Sequence, residues 1–396
     1  MNEMTASELA ARGEPLRALV NARVLIDDDL RTDRAVLVRG ERIVAVVPAD
    51  DVRVGAALQH DLHGHLLLPG FIDVQVNGGG GLLFNDAPTV ETLRGIAAAH
   101  RRFGSTGLLP TLITDTPAVM RAALEAVATA IDEGVPGILG IHLEGPFLAP
   151  SRKGIHAAAL FRPLGADDFT LLAARRRGVL MLTLAPEQVA PETIRRLTEA
   201  GVNVVAGHTA ADYATTRRAL DAGLRGFTHL YNAMTPLVIR EPGVVGAALD
   251  DPHSWCGLIV DGHHVHPASL RVAIAAKRRG KCVLVTDAMP PVGAAQPDYV
   301  LNGEPITVRD GVCQNAAGVL AGSALDMASA VRNTVQLLGL PLAEASRMAS
   351  AYPAAWLGLE HTRGHIVAGQ RADFAVLDDA LEVRETWIGG VGFAYA

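Results

Sequence analysis

Short apolar runs alternate with longer amphipathic stretches through the middle of this chain. Eight runs stand out: FIDVQV (71–76), TGLLPTLI (106–113), GILGIHL (137–143), VLMLTLA (179–185), VNVVAG (202–207), GFTHLY (226–231), GLIVDG (257–262) and CVLVTD (282–287). Between and after them, apolar residues spaced three and four apart predict helices over 89–103, 117–133, 191–200, 211–222, 267–279 and 323–338. Strand and helix alternating eight times read as a closed parallel barrel rather than an open sheet. Toward both ends the pattern changes to short strands broken by turns. ALVNARVLI, AVLVRGERIVAVV with a hairpin turn at Arg39, Gly40 and Glu41, and DLHGHLLLP open the chain. Residues 364–367, a turn at Ala368, Gly369 and Gln370, then ADFAVLD and EVRETWIGG close it. The expected architecture is an α/β fold: a (β/α)8 TIM barrel over 68–359 and a small β-sandwich domain over 1–67 and 360–396, built from both chain termini. An N-terminal sheet with an independent C-terminal tail is the alternative.

The composition suits that fold. Of 396 residues, 49% are apolar and 19% charged, enough to bury a parallel sheet under helices. A net charge of −7 with no Lys/Arg stripe excludes a nucleic-acid-binding surface, because nothing stands ready to neutralise a run of phosphates. The three cysteines, Cys256, Cys282 and Cys313, are odd in number and widely spaced, which argues against a disulfide framework and for a reducing compartment. The first twenty residues carry charges where a secretory leader needs apolar ones, and no run reaches the roughly 20 apolar residues that cross a bilayer. The expectation is a cytoplasmic protein without membrane attachment.

In such barrels the reacting groups stand where strands end, at one mouth. The residue closing each run is therefore informative. Run one ends near Gln75 and Asn77, run three at Glu144, run five at His208, run six at His229, run seven near His264 and run eight at Asp287. Two imidazoles and a carboxylate, Glu144, His208 and His229, make a three-ligand open site for one divalent ion, zinc first, with Fe, Mn or Co also compatible. Such an ion makes water nucleophilic near neutral pH and polarises a carbonyl. Asp287 would then carry the proton. His142, two residues before Glu144, reads as a core hydrogen-bonding residue, and His263 and His266 as solvated.

The local sequences are more specific. PGFIDVQVNG (69–78), HLEGPF (142–147), KGIH (153–156), GHTAA (207–211), THLYNAM (228–234), REPG (240–243), DGHHV (261–265), TDAM (286–289) and LAGSALDM (320–327) closely resemble the N-acetylglucosamine-6-phosphate deacetylase family of the amidohydrolase superfamily. The resemblance implies a metal-dependent hydrolase that removes the N-acetyl group of N-acetyl-D-glucosamine 6-phosphate, with Glu144, His208 and His229 on the metal and Asp287 as general acid/base. It places His156 on the amide carbonyl, and Ile155, Asn232, Ala233, Arg240, His264 and the segment Leu320, Ala321, Gly322 and Ser323 on the substrate. It further implies a homodimer, with Arg240 and His264 reaching the phosphate of the neighbouring subunit. Many amidohydrolases carry His-x-His at the end of strand one, which builds a second metal position. Here Gln75-Val76-Asn77 stands there, and amides are poor ligands for a transition ion, so one metal per subunit is expected. His63-Gly64-His65 precedes the strand and reads as a decoy. Glu187 ends run four, where a carbamylated lysine would have to be. Another deacylase or cyclic amidase of the superfamily, or a barrel scaffold that has lost catalysis, are the competing readings.

Overall fold

The computed structural model describes residues 13–296 and 298–395. The reading of the first residues as leader-free falls largely on 1–12, outside the described residues. Eight parallel strands form the central sheet in chain order: β1 (Phe71–Val76), β2 (Ser105–Ile113), β3 (Gly140–Glu144), β4 (Val179–Leu184), β5 (Asn203–Ala206), β6 (Gly226–Phe227), β7 (Trp255–Leu258) and β8 (Cys282–Leu284). The chain just beyond β8 closes the ring on β1: Asp287 N–H donates to the Gln75 carbonyl at 3.0 Å, and Asn77 N–H to the Ala288 carbonyl at 2.8 Å. Every residue of β1 is buried, because barrel interior and helices cover its two faces, which is why it reads as an unbroken apolar run.

A helix follows each strand: α1 (Val90–Arg101), α2 (Pro117–Asp132), α3 (Ala166–Ala173), α4 (Pro191–Glu199), α5 (Tyr213–Asp221), α6 (Gly243–Asp250), α7 (Pro267–Ala276) and α8 (Met327–Leu338). Their starts obey local chemistry. Thr89, Thr116, Asp212 and Asp326 each accept a hydrogen bond from a backbone N–H of the first turn of the following helix, and proline opens α2, α4 and α7. The sequence pattern missed α3 and α6. It also overran at 226–231, since only Gly226–Phe227 is strand before the chain turns away.

The largest departure lies between β8 and α8. Tyr299–Leu301, Glu304–Arg309, Val312–Gln314 and Leu320–Ser323 form a four-stranded antiparallel sheet. Leu320–Ser323 is therefore its last strand, not the approach to a helix at 323, and α8 starts at Met327. The signal was present: Asn302-Gly303 and Asp310-Gly311 are two-residue hairpin turns with positive φ at every position (52°, 80°, 52° and 79°).

The termini build a sandwich as expected. One sheet orders Arg42–Pro48, Arg34–Arg39, Arg17–Val20 and Leu58–Asp61. The other orders Val391–Ala394, Val383–Ile388, Phe374–Leu377, Leu66–Pro69, Arg23–Ile26 and Asp29–Arg31. Phe374–Leu377 pairs antiparallel with Leu66–Pro69, which excludes the independent tail. Leu19, Val24, Val36, Leu67, Phe374 and Trp387 belong to the core of this unit. Residues 364–367 run as turns rather than a strand. Because Leu66–Pro69 lies in the sandwich, we place the division between the two units at Gly70, a little beyond the boundary that the pattern suggested.

Candidate active site

Side chains at the ends of runs one, three, five, six, seven and eight converge at one mouth of the barrel. Glu144 is the last residue of β3, His208 follows β5, His229 follows β6 and Asp287 follows β8. Three of these sit in the left-handed region, with φ of 48° at His208, 31° at His229 and 53° at Asp287. Non-glycine residues accept that strain where surrounding structure enforces it, and such residues gather at functional sites.

Glu144 Oε1 lies 3.1 Å from His208 Nε2 and 3.0 Å from His229 Nε2, and the two nitrogens are 3.1 Å apart. His208 Nδ1 donates to the Arg152 carbonyl at 2.8 Å. That bond puts the proton of a neutral His208 on Nδ1 and leaves the Nε2 lone pair facing the carboxylate oxygen. Three electron-rich atoms thus crowd together with too few protons between them. This is the donor set and spacing that bonds of about 2 Å to a common divalent ion produce, so the group fits a cation. Although burial alone would raise it, the contacts with the His208 and His229 imidazoles hold the Glu144 carboxyl well below its ordinary range.

His156 stands beside this triangle. Glu144, His156 and His208 also offer ligand atoms within 4.8 Å of one another. However, His156 Nε2 is 4.0 Å from Glu144 Oε1, whereas His229 Nε2 is 3.0 Å away. The Nδ1 of His156 accepts from the Thr114 N–H at 3.4 Å and meets Thr114 Oγ1 at 2.9 Å, so the ring proton belongs on Nε2. Burial and the neighbouring His208 push the His156 pKa down to about 3, keeping the ring neutral. A neutral imidazole with its N–H turned toward Glu144, His208 and His229 is a hydrogen-bond donor in waiting.

Gln75 and Asn77 turn their amide N–H groups to the carboxylates of the site. Gln75 Nε2 donates to Glu144 Oε2 at 3.2 Å and to Asp287 Oδ1 at 3.1 Å, and Asn77 Nδ2 donates to the same Asp287 oxygen at 2.7 Å. Burial and the Glu144 charge push the Asp287 carboxyl above the ordinary carboxylate range. Below, His142 is tied into the barrel interior, Nδ1 to the Val74 carbonyl at 3.0 Å and Nε2 to Thr183 Oγ1 at 2.7 Å, as its core reading requires.

These groups open onto a cavity of about 250 Å³. Asn232, Ala233 and His264 line it, and Ile155, Leu320 and Gly322 also face it. Ala321 and Ser323 do not line it. They alternate to the buried face of their strand, where Ser323 N–H donates to the Asp287 carbonyl at 2.9 Å. Asn232 and Ala233 lie in a turn. His264 belongs to this chain's own cavity, which corrects the expectation that it crosses from a neighbouring subunit. Asp261, which the sequence reading passed over, accepts from His264 Nδ1 at 2.6 Å and orients the ring. Arg240 is not at the cavity. It sits in an exposed segment after Leu237, Val238 and Ile239, the last 99% exposed. His63 and His65 stay on the sandwich, His63 in an exposed turn, and line no part of the cavity. His263 is exposed, while His266 caps α7, its Nδ1 accepting from Ala268 N–H. Glu187 accepts from Thr209 Oγ1 and Ala210 N–H, both at 2.6 Å, and so braces the loop carrying His208. Thr114 was missed, and the bracing role of Glu187 with it, because both depend on partners distant in sequence.

The sequence profile of the Amidohydrolase family matches residues 66–391. The chain is 48% identical over 326 residues to an N-acetylgalactosamine-6-phosphate deacetylase of Shewanella sp. (strain ANA-3), covering 82% of each protein. It is 39% identical over 406 aligned positions to the N-acetylglucosamine-6-phosphate deacetylase of Bos taurus, covering 98% of this chain and 97% of that one. The crystal structure of N-acetylglucosamine-6-phosphate deacetylase from Pasteurella multocida superposes with a TM-score of 0.93 at 35% identity, over 96% of this chain and 100% of that one.

Proposed function

We propose, since this chain belongs to the amidohydrolase family, that it hydrolyses the acetamide of N-acetyl-D-glucosamine 6-phosphate to D-glucosamine 6-phosphate and acetate. It is a carbon–nitrogen hydrolase of amino-sugar metabolism. The observation that carries the reading is the convergence of Glu144, His208 and His229 opposite Asp287 at the floor of one cavity. We assign those three as the ligands of one divalent ion, zinc first, because His156 is farther away and has its Nδ1 engaged by Thr114. Bound there, the ion would supply Lewis acidity and a water of lowered pKa.

The chain's own residues do the rest. His156 Nε2–H donates to the amide carbonyl oxygen and stabilises negative charge as it develops there. Gln75 and Asn77 both grip Asp287 Oδ1, which leaves Oδ2 to take the proton from the attacking water and return it to the departing amine. Asn232, Ala233 and His264 receive the sugar phosphate, with Asp261 holding the His264 ring in place.

Arg240 completes the phosphate site from a second copy in this reading. The exposed apolar tip Leu237, Val238 and Ile239 beside it is suited to burial against that copy. Arg240→Ala should raise KM for the 6-phosphate by about 10-fold to 100-fold, the worth of one charge-assisted hydrogen bond or two, with a much smaller change in kcat. An unchanged KM would remove Arg240 from the site. A reducing cytoplasm belongs to the same reading, since Cys256, Cys282 and Cys313 are all free and buried. Among the described residues no helix is long and apolar enough to cross a membrane.

The 48% identical relative favours a second substrate, N-acetyl-D-galactosamine 6-phosphate, which differs only at one hydroxyl. Acetate release should therefore be measured from both 6-phosphates and from unphosphorylated N-acetylglucosamine, before and after treatment with a chelator. The expected result is turnover that needs both phosphate and metal. Equal turnover of the phosphorylated and unphosphorylated sugar would overturn the phosphate assignment, and the ratio of the two 6-phosphates decides between the epimers.

A further inference from the structure

We infer that Ile113, Ile155, Met289 and Leu301 form an acyl pocket that limits this enzyme to short N-acyl groups. The inference rests on the hydrolysis proposed above and adds which side chains choose the acyl chain. All four line the cavity and belong to one apolar cluster, in which Met289 and Leu301 are each only 2% exposed.

Their positions follow the reacting groups. Ile155 precedes His156, Ile113 precedes Thr114, which orients His156, and Met289 stands two residues beyond Asp287. Leu301 comes from the four-stranded sheet between β8 and α8. Its hairpin is fastened over the site by Asn302 Nδ2, which donates to the Ile155 carbonyl at 3.2 Å. The wall thus borders the place where His156 and Asp287 must meet the scissile amide.

Substrate chemistry gives the direction. A hexosamine 6-phosphate carries hydroxyls or a phosphate along its ring, and these would lose hydrogen bonds against four aliphatic side chains. The only wholly apolar part of the substrate is the acyl methyl group. With the sugar phosphate held by Asn232 and His264, as proposed above, this wall is the apolar lining on which the carbonyl substituent can rest. Because Leu301 and Met289 are packed into a buried cluster, the pocket cannot readily widen for added methylenes.

The test compares N-acetyl-, N-propionyl- and N-butyryl-D-glucosamine 6-phosphate with wild type, Met289→Ala, Leu301→Ala and the milder Leu301→Val. The quantity read is the ratio of kcat/KM for propionyl over acetyl substrate in one preparation. That ratio is independent of the fraction folded, so a partly destabilised variant remains informative. Wild type should prefer acetyl. In each alanine variant the ratio should rise by about 10-fold or more, the scale on which an apolar pocket senses one methylene, with a smaller rise in Leu301→Val. Wild-type turnover of the acetyl compound establishes the underlying reaction separately. With that turnover present, a ratio unchanged from wild type in all three variants overturns the acyl assignment.

Discussion

Asp287→Asn is expected to lower kcat by about 10³-fold while leaving the metal content of the purified protein unchanged. The substitution is close to isosteric. Asn77 Nδ2 and Gln75 Nε2 both donate to Asp287 Oδ1, at 2.7 and 3.1 Å, and an asparagine Oδ1 can accept both bonds. What disappears is the second carboxylate oxygen and with it the capacity to take and return a proton. The loss should fall on kcat and kcat/KM alike, since the proton moves only as the reaction proceeds. Glu144, His208 and His229 remain, so elemental analysis should still find the ion. Activity within tenfold of wild type would remove the acid/base role from Asp287.

Glu144→Gln should abolish both metal binding and turnover. Glu144 Oε1 lies within 3.1 Å of both imidazole nitrogens, and Glu144 carries the only negative charge among the three assigned ligands. A neutral amide loses that charge and can turn N–H donors toward a cation. Replacing a residue that merely orients a ligand typically costs 10-fold to 100-fold in metal affinity, so removal of a ligand should cost more than about 100-fold. His156→Gln supplies the contrast. It should retain the ion and lose turnover by about 10²-fold, as removal of an oxyanion donor does. Metal analysis by mass spectrometry, beside acetate release at saturating added zinc, separates the cases. Full metal occupancy in Glu144→Gln, or loss of the ion in His156→Gln, would show that the ligand and donor roles had been exchanged.

The candidate site was legible because each reacting residue sits at the end of an apolar run, and a barrel delivers every such end to the same mouth. Gln75-Val76-Asn77 was readable as a replacement for metal-binding histidines, but not as a pair of clamps. That role needed Asp287, about two hundred positions away, on the strand extension that closes the ring. The tautomer of His156 likewise depended on Thr114, and that of His208 on the Arg152 carbonyl. His264 shows the opposite case. Family resemblance implied that it acts across subunits, and the fold puts it on this chain's own cavity wall, held by Asp261.

Residue order alone settled the alternation of strands and helices, the sandwich at the two ends, and the chemical types available for catalysis. Those features are local: apolar periodicity, caps and turn residues act over a few positions, and the strand ends inherit their place from the barrel. The chain in three dimensions decided the hydrogen-bond partners, the proton positions on the imidazoles, and the apolar wall made by Ile113, Ile155, Met289 and Leu301. Each of those depends on atoms brought within about 3 to 4 Å from segments far apart in the chain, and no short-range pattern records such contacts.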